Sequence, residues 1–178
     1  MLCATINGVE LEYIVQGSGE PVVLIHGSIY SDSYFPLMAQ PILANHYRMI
    51  NYHRRGFAGS THPDSVASIR QQAADCNEFM ETLNIDRAHI VGHSYGGTIA
   101  LQLTIDAPNK IQTLSLLEPA LVGHVQGASE LIPKLESSVN SYKKGNMAQV
   151  DLFCQLIGGS HTGVQLITHY HVVHLIGL

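Results

Sequence analysis

Gly92-His93-Ser94-Tyr95-Gly96-Gly97 is the stretch that decides the fold of this chain, and it lies between an apolar strand and an apolar helix. The pattern predicts a sharp strand-to-helix turn, a nucleophile elbow, on which the hydroxyl of Ser94 points into a cleft. Such a turn needs a positive φ at Ser94, and only small residues fit two positions before and after it. Ser94 is therefore the candidate nucleophile.

Strands and helices alternate on both sides of the elbow, which indicates βαβ units and a mostly parallel sheet flanked by helices. The run Val22–Ile25 is apolar throughout, as expected for a strand buried on both faces. Asn7-Gly8 suits a hairpin turn, so the first two strands are predicted to be antiparallel at one edge. The six predicted strands are Leu2–Ile6, Val9–Val15, Val22–Ile25, Tyr47–Tyr52, Ala88–Val91 and Ile111–Leu117.

Three helices are predicted for this core. One covers Tyr34–Ala44, and another follows the elbow over Tyr95–Asp106. The third is indicated by steps of three and four between apolar residues, with Asp64 or Ser65 as its N-cap. Its apolar stripe is Val66, Ile69, Ala73, Cys76, Met80 and Leu83.

The pattern changes after Pro119, and the chain is predicted to have three parts. Residues 1–120 are the α/β core, residues 121–160 a helical cap, and residues 161–178 an atypical tail. The stretch 152–178 contains no Asp, Glu, Lys or Arg. Because a solvent-facing terminal segment normally carries charge, we expect residues 152–178 to cover the edge and faces of the strand Ile111–Leu117 or to be poorly ordered.

Composition bounds the partners and the compartment. The chain has 178 residues, 46% hydrophobic and 13% charged, with a formal net charge of −5. This charge argues against nucleic acid or an anionic membrane as the main partner. Cys3, Cys76 and Cys154 are odd in number and widely spaced, which predicts buried thiols in a reducing compartment. With no secretory pattern and no long apolar stretch, a cytoplasmic location is expected.

The chain resembles the α/β-hydrolase family over roughly residues 1–160. The strand Val22–Ile25 ends in His26-Gly27, as the family's oxyanion strand does. The loop 53–60, His-Arg-Arg-Gly-Phe-Ala-Gly-Ser, is similar to the family's Asp-x-Arg-Gly-x-Gly-x-Ser loop, with His53 for Asp and Ala58 for Gly. The elbow and the strand end Leu116-Leu117-Glu118-Pro119 follow in the family's order.

The resemblance implies where an oxyanion hole would lie. Its donors would be the backbone N–H of Tyr95 and that of Ser28 or Ile29. Gly27, Ile29 and His93 would then border the substrate. We expect His26 and His93 to be structural, since side chains next to the nucleophile on an elbow point in other directions. The family needs no metal and no organic cofactor, and its substrates are small molecules.

The acid and the base of a serine triad are less well marked. Glu118 ends the strand after the elbow helix, where some branches of the family place the acid; the alternative is a carboxylate that braces the cap. Asp151 falls in the predicted cap. The family's catalytic histidine follows a strand that this chain does not reach. The available candidates for the base are His124, at the start of the cap, and the tail histidines His161, His169, His171 and His174. The last three lack the carboxylate or cysteine neighbours expected of a metal site.

Two functions are consistent with this pattern. The first is a serine hydrolase that cleaves an ester, lactone or similar carbonyl compound through an acyl-enzyme. The serine argues against the dehalogenase and epoxide-hydrolase branches, which carry Asp at the elbow. The second is a truncated hydrolase homologue that has lost its acid and base and acts at most as a binding fragment. Substrate and oligomeric state stay open.

Overall fold

One seven-stranded sheet organises the part of the chain that the computed structural model describes, residues 1–121 and 172–175. The predicted cap (residues 121–160) and most of the tail lie outside these residues. The strands are β1 (Leu2–Ile6), β2 (Val9–Gln16), β3 (Glu20–Ile25), β4 (Tyr47–Tyr52), β5 (Ala88–His93), β6 (Ile111–Leu117) and β7 (Val172–Leu175). The α-helices are α1 (Phe35–Met38), α2 (Pro41–Ala44), α3 (Ile69–Thr82) and α4 (Tyr95–Asp106), and a 3₁₀ turn covers Pro108–Lys110.

The sheet has the predicted mostly parallel arrangement, in the order β1-β2-β4-β3-β5-β6-β7. The four central strands β4, β3, β5 and β6 are parallel to one another. The hairpin β1–β2 closes one edge and pairs antiparallel with β4. Both turn residues of the hairpin, Asn7 and Gly8, have positive φ, as a two-residue turn of this hand requires. All six predicted strands are confirmed.

The seventh strand lies at the opposite edge. β7 pairs antiparallel with β6, and Leu114 is opposite Leu175. The sequence predicts that the charge-free stretch covers this edge, because unpaired backbone groups of an edge strand need partners. The prediction is confirmed for residues 172–175.

Both faces of the sheet are buried, and the alternation along β3 shows this directly. Val23 and Ile25 belong to the core under α3 and α4. Val22 and Leu24 belong to a second, smaller core that includes Met38 of α1. A strand covered on both faces explains why β3 is apolar without interruption. The four parallel strands run in the same direction, so their carboxyl ends lie at the same end of the sheet. Candidate site residues follow the last residues of these strands.

The predicted helix Tyr34–Ala44 is wrong as a single element. The structure has two one-turn helices, α1 and α2, with Ala39 and Gln40 between them. Gln40 is extended (φ −74°, ψ 119°) because the ring of Pro41 disfavours the helical conformation in the preceding residue. Pro41 itself begins α2, where its missing N–H costs no helical hydrogen bond.

The start of α3 also differs from the prediction. Ser68, and neither Asp64 nor Ser65, is the N-cap, and its hydroxyl accepts a hydrogen bond from the Gln71 N–H at 3.1 Å. Val66 precedes the helix and is 86% exposed, so it does not belong to the apolar stripe. Ser68 is the cap because it lies closest to the periodic residues and its hydroxyl satisfies a free N–H of the first turn.

The cysteines are only partly as predicted. Cys76 is buried on α3, but Cys3 is exposed, because it lies on the outward face of the edge strand β1. Both are free thiols. Cys154 lies outside the described residues. In the part of the chain that the structure describes, no helix is long and apolar enough to cross a membrane.

Candidate active site

Ser94 occupies a strained turn between β5 and α4. Its backbone has φ 52° and ψ −120°, a conformation that residues with a Cβ rarely adopt. Gly92 and Gly96 allow this turn: a Cβ on Gly92 would lie 2.6 Å from the Gly96 carbonyl oxygen. A Cβ on Gly96 would lie 2.5 Å from the His26 carbonyl oxygen and nearer still to that of Ile25. The predicted positive φ at Ser94 is confirmed.

Backbone hydrogen bonds attach the elbow to the end of β6. The Ser94 N–H donates to the Leu117 carbonyl at 2.9 Å. The Ser94 carbonyl accepts from the N–H of Gly97 and from that of Ala120, each at 2.9 Å. These bonds stabilise a strained residue from both sides, as is typical of functional sites. The hydroxyl of Ser94, by contrast, makes no hydrogen bond with any described residue.

The loop that follows β3 lies directly against the elbow. A Cβ built on Gly27 would be 3.3 Å from the Cβ of Ser94 and 3.2 Å from Nδ1 of His93, so a larger residue would crowd the elbow. Ser28 and Ile29 come next and are exposed, while Tyr95 is half-buried at the start of α4. The structure thus brings the stretch with the predicted oxyanion donors next to the candidate nucleophile.

His26 is buried and connects two loops. Its Nε2 lies 3.0 Å from the backbone nitrogen of Arg54, which can only donate. The ring proton is therefore on Nδ1, which donates to the Gly27 carbonyl at 2.7 Å. Burial holds the pKa of His26 well below its ordinary value, and the nearby Arg54 charge adds to this shift. A neutral histidine with both nitrogens occupied has the structural role that the sequence predicts.

His53 replaces the family's Asp and forms a different set of contacts. Its Nδ1 lies 2.9 Å from a carboxylate oxygen of Glu12, and its Nε2 lies 2.7 Å from one of Asp32. Each ring nitrogen of His53 is therefore within hydrogen-bond distance of a carboxylate oxygen. The bond from His53 lowers the pKa of Glu12. His53 thereby joins β2 to the loop that follows β3.

Buried hydrogen bonds fix the rest of the loop 53–60. Arg55 forms two hydrogen bonds with the carboxylate of Asp75, at 2.6 and 2.7 Å, and both side chains are buried. Ser60 donates to the His53 carbonyl at 2.7 Å. Ala58, at the position of a family glycine, has φ 45°, which explains why glycine is usual there.

Arg54 is the site residue that sequence reasoning missed. Only 3% of it is exposed, and its guanidinium donates to the carbonyls of His26 (3.2 Å) and Gly27 (2.7 Å) and to the Gln72 side chain. It forms no ion pair with any residue in the described part of the chain. A signal was present: Arg54 follows a buried strand, and residues 47–60 contain no Asp or Glu.

His93 is the last residue of β5 and Glu118 directly follows β6, so both lie with Ser94 at the carboxyl ends of the parallel strands. Burial lowers the pKa of His93, and the negative charge of Glu118 opposes the shift. Glu118 itself is exposed, with φ 46°. Its role as the acid stays a prediction. Asp151 and the histidines 124, 161, 169 and 171 lie outside the described residues, and of His174 only the backbone is described.

The two depressed histidine pKa values predict how stability changes with pH. The unfolded chain takes up protons near pH 6.5, whereas folded His26 and His93 resist them, so the folded state loses stability as pH falls below about 6.5. For His26 alone we expect a loss of about 1 kcal/mol between pH 7.5 and 5.5. Urea unfolding at the two pH values measures it. His26→Gln should reduce the difference, while the exposed His62→Gln should not; equal stability at both pH values would contradict the account.

Comparison with known proteins supports the fold described above. A family model described as the alpha/beta hydrolase fold matches residues 20–150. Over 118 residues the chain is 32% identical to a fluoroacetate dehalogenase from Burkholderia sp, covering 64% of this chain and 38% of that protein. It is also 32% identical over 118 residues to the 2-hydroxy-6-oxo-6-(2'-aminophenyl)hexa-2,4-dienoic acid hydrolase of Metapseudomonas resinovorans, with 64% and 40% covered.

A solved structure gives the same result. The meta-cleavage product hydrolase from Pseudomonas fluorescens IP01 superposes with a TM-score of 0.59 at 28% identity, over 64% of this chain and 43% of that one. The chain thus spans about two fifths of the length of the curated relatives described here. Because the family model matches residues 20–150, most of the chain, this protein belongs to the α/β-hydrolase family.

Proposed function

We propose that this protein is a serine hydrolase that cleaves an ester, lactone or similar carbonyl compound through an acyl-enzyme. The observation that carries the proposal is the strained Ser94, which stands at the carboxyl end of β5 with Gly27 against it and whose hydroxyl bonds to no described residue. Dehalogenase relatives resemble the chain elsewhere, but their branch carries Asp at this position. A serine there supports ester-type chemistry.

The proposed mechanism has two halves. A base takes the proton of Ser94 as its Oγ attacks the substrate carbonyl, and the negative charge moves to the carbonyl oxygen. The N–H of Tyr95 and that of Ser28, or of Ile29, stabilise this oxygen. The leaving group departs with the proton, and water then opens the acyl-enzyme and restores Ser94. Gly27, Ile29 and His93 border the substrate in this proposal, with no metal or organic cofactor.

The acid and base decide between the two candidate functions. Glu118 is the proposed acid, although its exposure fits a surface carboxylate equally well. No described side chain forms a hydrogen bond with the hydroxyl of Ser94. The alternative is a hydrolase homologue that lacks its acid and base and acts at most as a binding fragment. Reading the source nucleic acid beyond Leu178 tests this alternative: a further strand ending in Asp and then a Gly-His segment would establish it.

Labelling with a fluorophosphonate tests the function itself. We expect a single adduct, located at Ser94 by peptide mass mapping, because among the described serines only Ser94 has positive φ, and it lies beside the proposed amide donors. Without a base the reaction should be slow, since the remaining help comes from the oxyanion hole and binding. Fast labelling would show that a histidine of this chain completes the triad. An adduct at another serine would contradict the proposal.

The remaining proposals concern the setting of the enzyme. The substrate is a small molecule, and neither nucleic acid nor a membrane is a partner, in keeping with the net charge of −5. The core is proposed to end near residue 120, with a helical cap over residues 121–160 and a tail over residues 161–178. A cytoplasmic location is supported by the free thiols of Cys3 and Cys76.

A further inference from the structure

The geometry points to Arg54 as a positioning residue of the oxyanion hole. From the buried side of the loop, Arg54 orients and polarises the backbone N–H of Ser28. This inference rests on the proposed function, since it assigns a role to Arg54 in the same site. The residue is an unusual occupant of a core. Its cation is almost fully buried, and a buried cation ordinarily has a carboxylate partner. Arg54 instead has carbonyl groups and aromatic rings around it.

The first step is the direction of one peptide group. The Gly27 carbonyl accepts a hydrogen bond from Nη2 of Arg54 at 2.7 Å. This carbonyl and the N–H of Ser28 belong to the same trans peptide, so they point in opposite directions. Arg54 lies on the inner side of the loop. Fixing the carbonyl there therefore aims the Ser28 N–H outward, away from the core and toward the exposed side of the loop.

A second group of contacts makes this orientation rigid. Arg54 also donates from Nε to the His26 carbonyl at 3.2 Å, so two successive peptide groups are held by one planar guanidinium. The Arg54 N–H donates to the ring of His26, which in turn donates to Gly27. The loop therefore cannot turn its peptide groups over without breaking several buried hydrogen bonds.

The same guanidinium also touches the other half of the predicted hole. Its central carbon lies 5.4 Å from the ring centroid of Tyr95, whose backbone N–H is the second proposed donor, and 4.6 Å from that of Phe57. These are cation–π distances. Arg54 thus connects the oxyanion loop to the first residue of α4, and the two donors share one support.

The charge of Arg54 has a direct effect on the Ser28 N–H. A charged donor on a carbonyl polarises the whole peptide, which makes the N–H at its other end a better donor. The positive charge forms no ion pair with any described carboxylate, and it lies behind the peptide whose N–H would face the substrate oxygen. Burial lowers the pKa of Arg54 to about 10, so the group still keeps its charge at neutral pH.

Two variants and a surface control test the inference on the full chain. Arg54→Met removes both the planar guanidinium and its charge. Arg54→Lys keeps the charge but lacks the planar group. Arg70→Met, on the exposed face of α3, is the control. The rate constant of Ser94 phosphonylation by a fluorophosphonate is measured at saturating probe, together with the concentration for half-maximal rate. Circular dichroism melting establishes that each variant is folded at the assay temperature.

We expect the saturating rate to fall at least tenfold in Arg54→Met, with the half-saturating concentration changed less than twofold, and to be intermediate in Arg54→Lys. A purely structural residue would change stability without this split. A folded Arg54→Met that reacts within twofold of the native rate overturns the inference, and if that variant does not fold, the same limit applies to Arg54→Lys.

If the native chain does not react with the probe at all, that result counts against the proposed function alone. Hydrogen exchange then tests the role of Arg54 separately. The buried amide of residue 54, which donates to the ring of His26, should then exchange at least tenfold faster in Arg54→Met, or in Arg54→Lys if the first does not fold, while the amides in the middle of α4 are unchanged. Unchanged exchange at residue 54 overturns the role of Arg54.

Discussion

Replacing Ser94 with glycine should abolish hydrolysis and make the folded chain more stable at the same time. The hydroxyl is the proposed nucleophile, so kcat should fall at least about a thousandfold. The backbone of Ser94, at φ 52° and ψ −120°, carries strain of about 1–3 kcal/mol that glycine does not have. Glycine also gives the unfolded chain more freedom, which leaves a net gain of about 1 kcal/mol.

The matched variant is Ser94→Ala, which removes the same hydroxyl but keeps a Cβ and hence the strain. It should lose activity equally and have nearly the native free energy of unfolding. Hydrolysis of p-nitrophenyl esters and urea unfolding measure the two effects, and Ser65→Ala, an exposed serine, controls for non-specific loss. A Ser94→Gly chain no more stable than Ser94→Ala would show that the turn is unstrained.

Replacing Gly96 with alanine should prevent stable folding. A Cβ at this position would meet the carbonyl oxygens of Ile25 and His26, and both are backbone atoms at the end of a central strand. Neither can move without separating α4 from the sheet. We expect a loss of at least about 3 kcal/mol, the range of severe core clashes.

Gly8→Ala is the control for glycine replacement as such. Gly8 also has positive φ, but a Cβ there would meet no atom within 4 Å, so only the backbone strain of about 1 kcal/mol remains. Urea unfolding midpoints compare the two variants. If Gly96→Ala is destabilised no more than Gly8→Ala, the helix and the oxyanion strand are not as close as the structure has them.

The sequence determined the sheet and the elbow because their signals are local. Continuous apolar runs mark buried strands, and the spacing of Gly92, Ser94 and Gly96 reflects a steric requirement of the turn itself. The helix boundaries could not be predicted as well, because each depends on a single residue. The break at Gln40 depends on one proline, and the start of α3 depends on which of three neighbouring polar residues caps it.

Contacts between distant segments could not be predicted in the same way. Nothing near Arg54 in the sequence indicates that its guanidinium lies under Gly27, because that contact depends on how β3 and β4 pair. His53 likewise faces Glu12 and Asp32, which are separated from it by 41 and 21 positions. Long-range pairing fixes these neighbours, and a single sequence carries no direct record of it.

The two carboxylate contacts of His53 have a consequence for anyone who exchanges segments between this protein and its relatives. The loop 53–60 is not an independent cassette, because restoring the family's Asp at position 53 would place three carboxylates together where two now share one imidazole ring. Residues 12, 32 and 53 form one electrostatic unit although they belong to three separate segments. A chimera that imports the loop must therefore also import neutral or basic partners at positions 12 and 32.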